Sequence, residues 1–181
     1  MVPFQEYCQN ELKKTVKTQL NIKNTMAVPA VTKIVINVGA GEATVNKNAI
    51  ANITQQMGLI AGQKPVITKA HNSISAFKIR AGLAIGVKVT LRGKRMYVFL
   101  EKLVKIVLPR IRDFRGIKES AVDQHGNLNL GFSEQTLFPE IEYDSVDKLR
   151  GMQVTIVTNA NNRKDGRVLF EAMGIPFHKQ S

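Results

Sequence analysis

The stretch Val87-Lys88-Val89-Thr90-Leu91-Arg92 alternates apolar and polar residues without a break. Successive side chains of a strand point to opposite faces, so this pattern demands a sheet covered on one side and open, with bases, on the other. Residues 32–38 repeat it: Ile34 and Ile36 face one way, Lys33, Val35 and Asn37 the other. Residues 152–158 alternate as well, and residues 64–68 and 127–130 read as short strands. Pro65 puts the first of these at an edge or a strand start.

Helical spacing surrounds the strands. Phe4, Cys8, Leu12, Val16 and Leu20 recur every four residues. Ile50, Ile53, Met57 and Ile60 form a second stripe, with Asn46 as cap and Gly62 as terminator. Met96, Phe99, Leu100, Leu103, Val104 and Val107 form a third, expected to stop at Pro109. Asn161 or Asn162 caps a last helix running through Glu171. Residues 70–85 read as a protruding loop, and residues 109–125 and 132–150 as irregular. The pattern predicts an α+β fold: one domain over residues 1–181, a mostly antiparallel sheet of about five strands, helices on one face and an open face opposite.

Charge says what the open face is for. The net charge is +12. Residues 61–118 hold fourteen bases and two acids, and the 58 residues between Glu42 and Glu101 hold no acid. A field of one sign repels itself, so an outside polyanion is expected to neutralise it. The bases alternate with valine, isoleucine and threonine rather than lining an amphipathic helix, which favours nucleic acid over a membrane surface. No apolar run approaches the roughly 20 residues of a membrane span, and the mixed charges of residues 1–19 are unlike a signal peptide. The single cysteine, Cys8, excludes an internal disulfide and suits a reducing compartment, cytoplasm or organelle matrix.

Catalytic readings fail on spacing. Gly39 and Gly41 follow a strand and precede a helix, but Thr44 stands where a dinucleotide fingerprint needs its third glycine, and no ribose-binding acid follows. His71, His125, His178 and Cys8 have no metal-ligand spacing, so neither metal nor cofactor is expected. Glu140, Glu142, Asp144 and Asp147 read as a solvated acidic face or one meeting a basic protein. Lys33, Asn37, Lys88, Thr90 and Arg92 are the candidates for RNA contact: lysine and arginine for phosphate, asparagine and threonine for ribose or base edges. Phe77 lies between Ser75 and the bases Lys78 and Arg80, where it either stacks on a nucleotide or anchors the loop. With aromatics at 6%, readout of RNA backbone and shape is expected over base stacking.

Five ordered segments resemble the bacterial-type large-subunit ribosomal protein five family, the 5S rRNA-binding proteins. They are Val38-Gly39-Ala40-Gly41-Glu42-Ala43, Gly62-Gln63-Lys64-Pro65-Val66-Ile67-Thr68-Lys69-Ala70, Val87-Lys88-Val89-Thr90-Leu91-Arg92-Gly93, Pro109-Arg110-Ile111-Arg112-Asp113-Phe114-Arg115-Gly116 and Phe138-Pro139-Glu140-Ile141. The resemblance implies a sheet face that binds 5S rRNA in the central protuberance, which adds Gln63, Lys64 and Thr68 to the rRNA candidates. It implies that the 70–85 loop reaches peptidyl-site tRNA through Asn72, Ser73, Ser75, Phe77, Lys78 and Arg80. It further implies an intersubunit bridge to small-subunit ribosomal protein thirteen through Arg110, Arg112, Arg115, Glu140, Glu142 and Asp144. Large-subunit rRNA and other central-protuberance proteins complete the implied partners, and no catalysis is implied. A free-standing RNA chaperone of the same fold is the rival reading.

Overall fold

A computed structural model describes residues 4–44, 46, 48–142 and 146–178. Five strands form one sheet: β1 (Val31–Gly39), β2 (Val66–Lys69), β3 (Ala84–Leu91), β4 (Leu128–Phe132) and β5 (Met152–Thr158), in the order β2-β3-β1-β5-β4. Neighbours run antiparallel. Val66 pairs with Lys88 and Thr68 with Gly86, Ala40 past the end of β1 bonds Ile85 at the start of β3, and Asn159 past the end of β5 bonds Ala30 before β1. β2 is the edge strand that Pro65 predicts.

The chain packs as two compact units. One comprises residues 1–34, 92–130 and 155–181; the other comprises residues 35–91 and 131–154. Among the described residues the second unit has one α-helix, α2 (Asn48–Ala61). Its amino end carries the predicted cap, since Asn46 accepts from the Asn48 amide at 3.0 Å through Oδ1. Gly62 ends it at φ +60. Ile53, Met57 and Ile60 are buried with Val38 and Met152, so α2 covers one side of the sheet.

The first unit holds α1 (residues 4–19), α3 (residues 93–110) and α4 (Arg163–Ala172). In an α-helix a four-residue step overshoots one turn by about 40°, so the strict spacing of Phe4 to Leu20 would spiral round its helix. A π turn at Cys8–Leu12 advances fewer degrees per residue and keeps Cys8, Leu12 and Val16 buried on one line. A second π turn, Leu103–Val107, explains why Pro109 does not stop α3 as expected: the helix continues to Arg110. There the Leu108 amide reaches back to the Leu103 carbonyl, a wider register that relieves crowding by the proline ring. Asn162 occupies the cap position of α4 without a side-chain cap bond. Gly166 in α4 lies so near Gly126 that an added Cβ would stand 2.5 Å from the Gly126 Cα, so both positions require glycine.

The 70–85 loop is more ordered than expected. β3 begins at Ala84 rather than Gly86, and Ile74 and Ile79 bridge across a short 3-10 turn, Ser75–Phe77. Lys78 at φ +54 closes that turn.

Candidate nucleic-acid interface

Strand alternation assembles the candidate face within the unit of residues 35–91 and 131–154. Val38 on β1 and Val87, Val89 and Leu91 on β3 are buried. The residues between them, Asn37, Lys88 and Thr90, therefore point to the side that α2 leaves open. Thr68 joins them because it pairs with Gly86, which has the same parity as Lys88. Lys88 and Asn37 are exposed, Thr68 and Thr90 half-buried.

Gly86 is what lets the face be flat. A Cβ there would stand 2.7 Å from Thr68 Oγ1 and 3.0 Å from the Val38 carbonyl oxygen. Three strands thus pack closely over one buried backbone position that leaves no room for a side chain. Gln63 borders the face and is half-buried; its Nε2 donates to the Thr90 carbonyl at 3.3 Å, tying the loop before β2 to β3. Lys64 beside it is exposed.

The remaining rRNA candidates belong to the other unit. Lys33 is half-buried on β1, with the parity of Asn37, and Arg92 is exposed where β3 gives way to α3. Within the unit of residues 35–91 and 131–154 the open face offers the Asn37 amide, the Thr68 and Thr90 hydroxyls and one amine, Lys88. That is a sparse set of charges among many hydrogen-bonding groups, suited to ribose and base edges as much as to phosphate.

In the loop, Asn72, Ser73, Ser75, Phe77, Lys78 and Arg80 are all exposed. Phe77 is 68% exposed, which resolves its two readings: it does not anchor the loop to the core. Ser73 Oγ accepts from the Ala81 amide at 2.9 Å, so that hydroxyl also closes the loop.

The bridge candidates fall in separate units. Arg110 is exposed at the end of α3 and Arg112 and Arg115 beyond it, while Glu140 and Glu142 are exposed on the turn before β5. Asp144 lies outside the described residues. Glu140, Ile141 and Glu142 share a cleft with Asn52, Gln55, Gln56 and Leu59 of α2. Asp147, read from sequence as one of a solvated acidic group, instead grips Arg150 at 2.7 Å. Arg150 also binds Glu42, and its side chain is only 8% exposed. Hydrogen bonding to Arg150 holds the Asp147 carboxyl well below the usual carboxylate range, and bonds from Lys148 and then Arg150 lower Glu42. This clamp was not legible in the sequence. Its only trace is that Glu42 is the one acid beside the turn ending β1.

No helix among the described residues is long and apolar enough to cross a membrane. Among the same residues, no group of three or more histidine, cysteine, aspartate and glutamate side chains is placed to hold a metal ion.

Two family profiles match the chain. Ribosomal protein L5 matches residues 24–80, and the C-terminus of the same ribosomal family matches residues 84–177. The large ribosomal subunit protein uL5 of Spiroplasma kunkelii is 51% identical over 178 residues, covering 98% of this chain and 99% of its own. That of Symbiobacterium thermophilum is 53% identical over 169 residues, covering 93% and 94%. That of Moorella thermoacetica is 48% identical over 179 residues, covering 99% of both. An open antiparallel sheet with a polar face, a basic chain and identity near one half from end to end lead to one assignment: the chain belongs to the ribosomal protein L5 family, structural proteins of the large ribosomal subunit rather than enzymes.

Proposed function

We propose that the open sheet face binds 5S rRNA and helps hold it in the central protuberance. The observation that carries this reading is the convergence of Asn37, Thr68, Lys88 and Thr90 on one uncovered face around Gly86. The hydroxyls and the amide offer directional hydrogen bonds, and Lys88 supplies charge. Large-subunit rRNA is the expected neighbour of the same protein on the ribosome, together with other central-protuberance proteins.

The loop of residues 70–85 contacts peptidyl-site tRNA. Its support is an exposed Phe77 held on a short ordered turn beside Lys78 and Arg80, an arrangement that offers a stacking surface with adjoining cations. The exposed Arg110, Arg112 and Arg115 and the exposed Glu140 and Glu142 contribute to an intersubunit bridge with small-subunit ribosomal protein thirteen. The acids suit a basic partner. A bacterial cytoplasm or an organelle matrix would house such a particle.

A footprint of the full-length protein on 5S rRNA tests the first reading. Protection should weaken at discrete nucleotides when Lys33, Asn37 and Arg92 are altered. A footprint unchanged by all three would contradict it.

A further inference from the structure

We propose that the helical unit carries an RNA surface of its own, the basic end of the α1–α3 helix pair, where Lys13, Lys14, Lys94 and Arg95 hold the phosphate backbone of structured rRNA. The inference goes beyond the 5S reading and does not depend on it.

Its first support is where the charge resides. Eighteen of the 26 bases and eight of the 14 acids belong to the unit of residues 1–34, 92–130 and 155–181. The other unit, which provides most of the open face, holds eight bases and six acids. Two of those eight bases, Lys148 and Arg150, are engaged in ion pairs with Glu42 and Asp147. Nearly the whole excess of positive charge therefore lies on the helical unit, and a sheet-face ligand alone leaves most of it unneutralised.

The second support is the packing of the two helices. Lys105 Nζ sits 5.7 Å from the centre of the Phe4 ring, and Phe4, Gln5, Glu6 and Gln9 share a cleft with Lys94, Tyr97, Val98 and Glu101. Gln9 also hydrogen-bonds Tyr97. Phe4 beside Lys105 and Gln9 beside Tyr97 make the helices antiparallel. With a rise of about 1.5 Å per residue, Lys13 and Lys14 lie a short way past Gln9, as Lys94 and Arg95 lie a short way before Tyr97. The four bases thus share one end of the pair. Lys14, Lys94 and Arg95 are exposed and Lys13 is half-buried. Glu11 is the acid nearest them on α1, while Glu6 and Glu101 lie toward the far end, where Lys105 pairs with Glu101 at 2.5 Å. The field is therefore graded along the pair and most positive at this end.

The occupant is RNA by chemistry. A protein partner of useful affinity needs an apolar centre to its interface, whereas the exposed residues here are mainly amines, a guanidinium, and the hydroxyls of Thr15 and Thr18, with Val98 the exposed apolar side chain one turn along α3. Phosphate contacts need no more than that.

The test uses the full-length protein with a generic 20-base-pair RNA duplex and, separately, 5S rRNA as probes, measured by anisotropy across salt. Lys94→Gln/Arg95→Gln is compared with Lys118→Gln/Lys164→Gln, which removes two exposed bases from the same unit. The first double variant should lower duplex affinity about tenfold at low salt and reduce the salt slope by roughly two. The second should change affinity less than about twofold. Adding Lys13→Gln and Lys14→Gln to the first should reduce the slope further, and circular dichroism checks that each variant is folded. Equal effects of the two doubles, or wild-type protein that does not bind the duplex, would overturn the proposal. Failure of the 5S reading would show instead as a 5S affinity indifferent to Lys88 and Asn37.

Discussion

The Arg150 guanidinium donates through Nε to the Glu42 carboxylate, joining residues 108 positions apart within one compact unit. The same group grips Asp147 through Nη1 and Nη2 at 2.7 and 2.8 Å, and the Arg150 amide donates to buried Gln135. Gln135 in turn donates to the Lys148 carbonyl at 2.7 Å, so the segment before β5 is fixed to the turn that ends β1. That turn follows the strand bearing Asn37, and the clamp therefore holds one border of the open face.

Removing one partner of such a cluster leaves charges without their counterion. Arg150→Met should destabilise the protein by roughly 2 kcal/mol, below the usual range for a buried pair because Glu42 and Asp147 can rehydrate. The pH dependence has a definite sign. Both carboxyls have folded pKa values below their ordinary ones, so their contribution is complete above the ordinary carboxylate pKa of about 4 and is lost as pH falls below it. Wild-type stability should decline from about pH 5 downward. Arg150→Met should show a shallower decline, and urea titrations at several pH values measure both.

Two helix glycines should respond to alanine with opposite signs. At Gly58 in α2 an added Cβ meets only Pro65 Cδ, at 3.7 Å. Gly58→Ala should raise stability by up to about 1 kcal/mol through helix propensity. Gly166→Ala puts its Cβ against Gly126 backbone at 2.5 Å and should cost about 3 kcal/mol through overpacking. Thermal melts of the two variants decide the contrast.

Burial, with Glu101 adding to it, pushes the Cys8 thiol up to about 11. The thiolate is the reactive form, and an unfolded cysteine titrates near 8.5. Alkylation by iodoacetamide at pH 8 should therefore be about a hundredfold slower in the native protein than in urea. Comparable rates would show the α1 stripe to be open.

The exposed tip of the 70–85 loop separates binding from stability. Phe77→Ala should leave the melting temperature nearly unchanged, since the ring is 68% exposed, while weakening peptidyl-site tRNA binding by the roughly 1–3 kcal/mol that a stacked aromatic contributes. Loss of stability without loss of tRNA binding would reverse the reading.

The strands were legible because alternation is local. Val87 to Arg92 and Met152 to Thr158 state their own burial, and the chain needs no distant information to place them on a half-covered sheet. The helix stripes were legible for the same reason, but their π turns were not: a spacing of four is close to helical, and the wider turns that straighten it depend on what the stripe packs against. Long-range pairing was out of reach. Nothing near Arg150 says that it meets Glu42, in a turn 108 residues earlier, so Asp147 beside it read as one more solvated acid. Charge is likewise read along the chain, and the stretch without acids is shared between two units once the chain is folded.

The central claim is that the open sheet face is where 5S rRNA binds, and the affinity of a folded Asn37→Ala/Lys88→Glu variant for 5S rRNA tests it most directly. Both side chains are exposed on strands whose cores lie on the other side, so the melting temperature should move little. The account predicts that 5S affinity falls about a hundredfold at low salt, through a lost hydrogen-bonding side chain and a repulsive charge on the face. Affinity within about twofold of wild type would place the 5S site elsewhere on the protein.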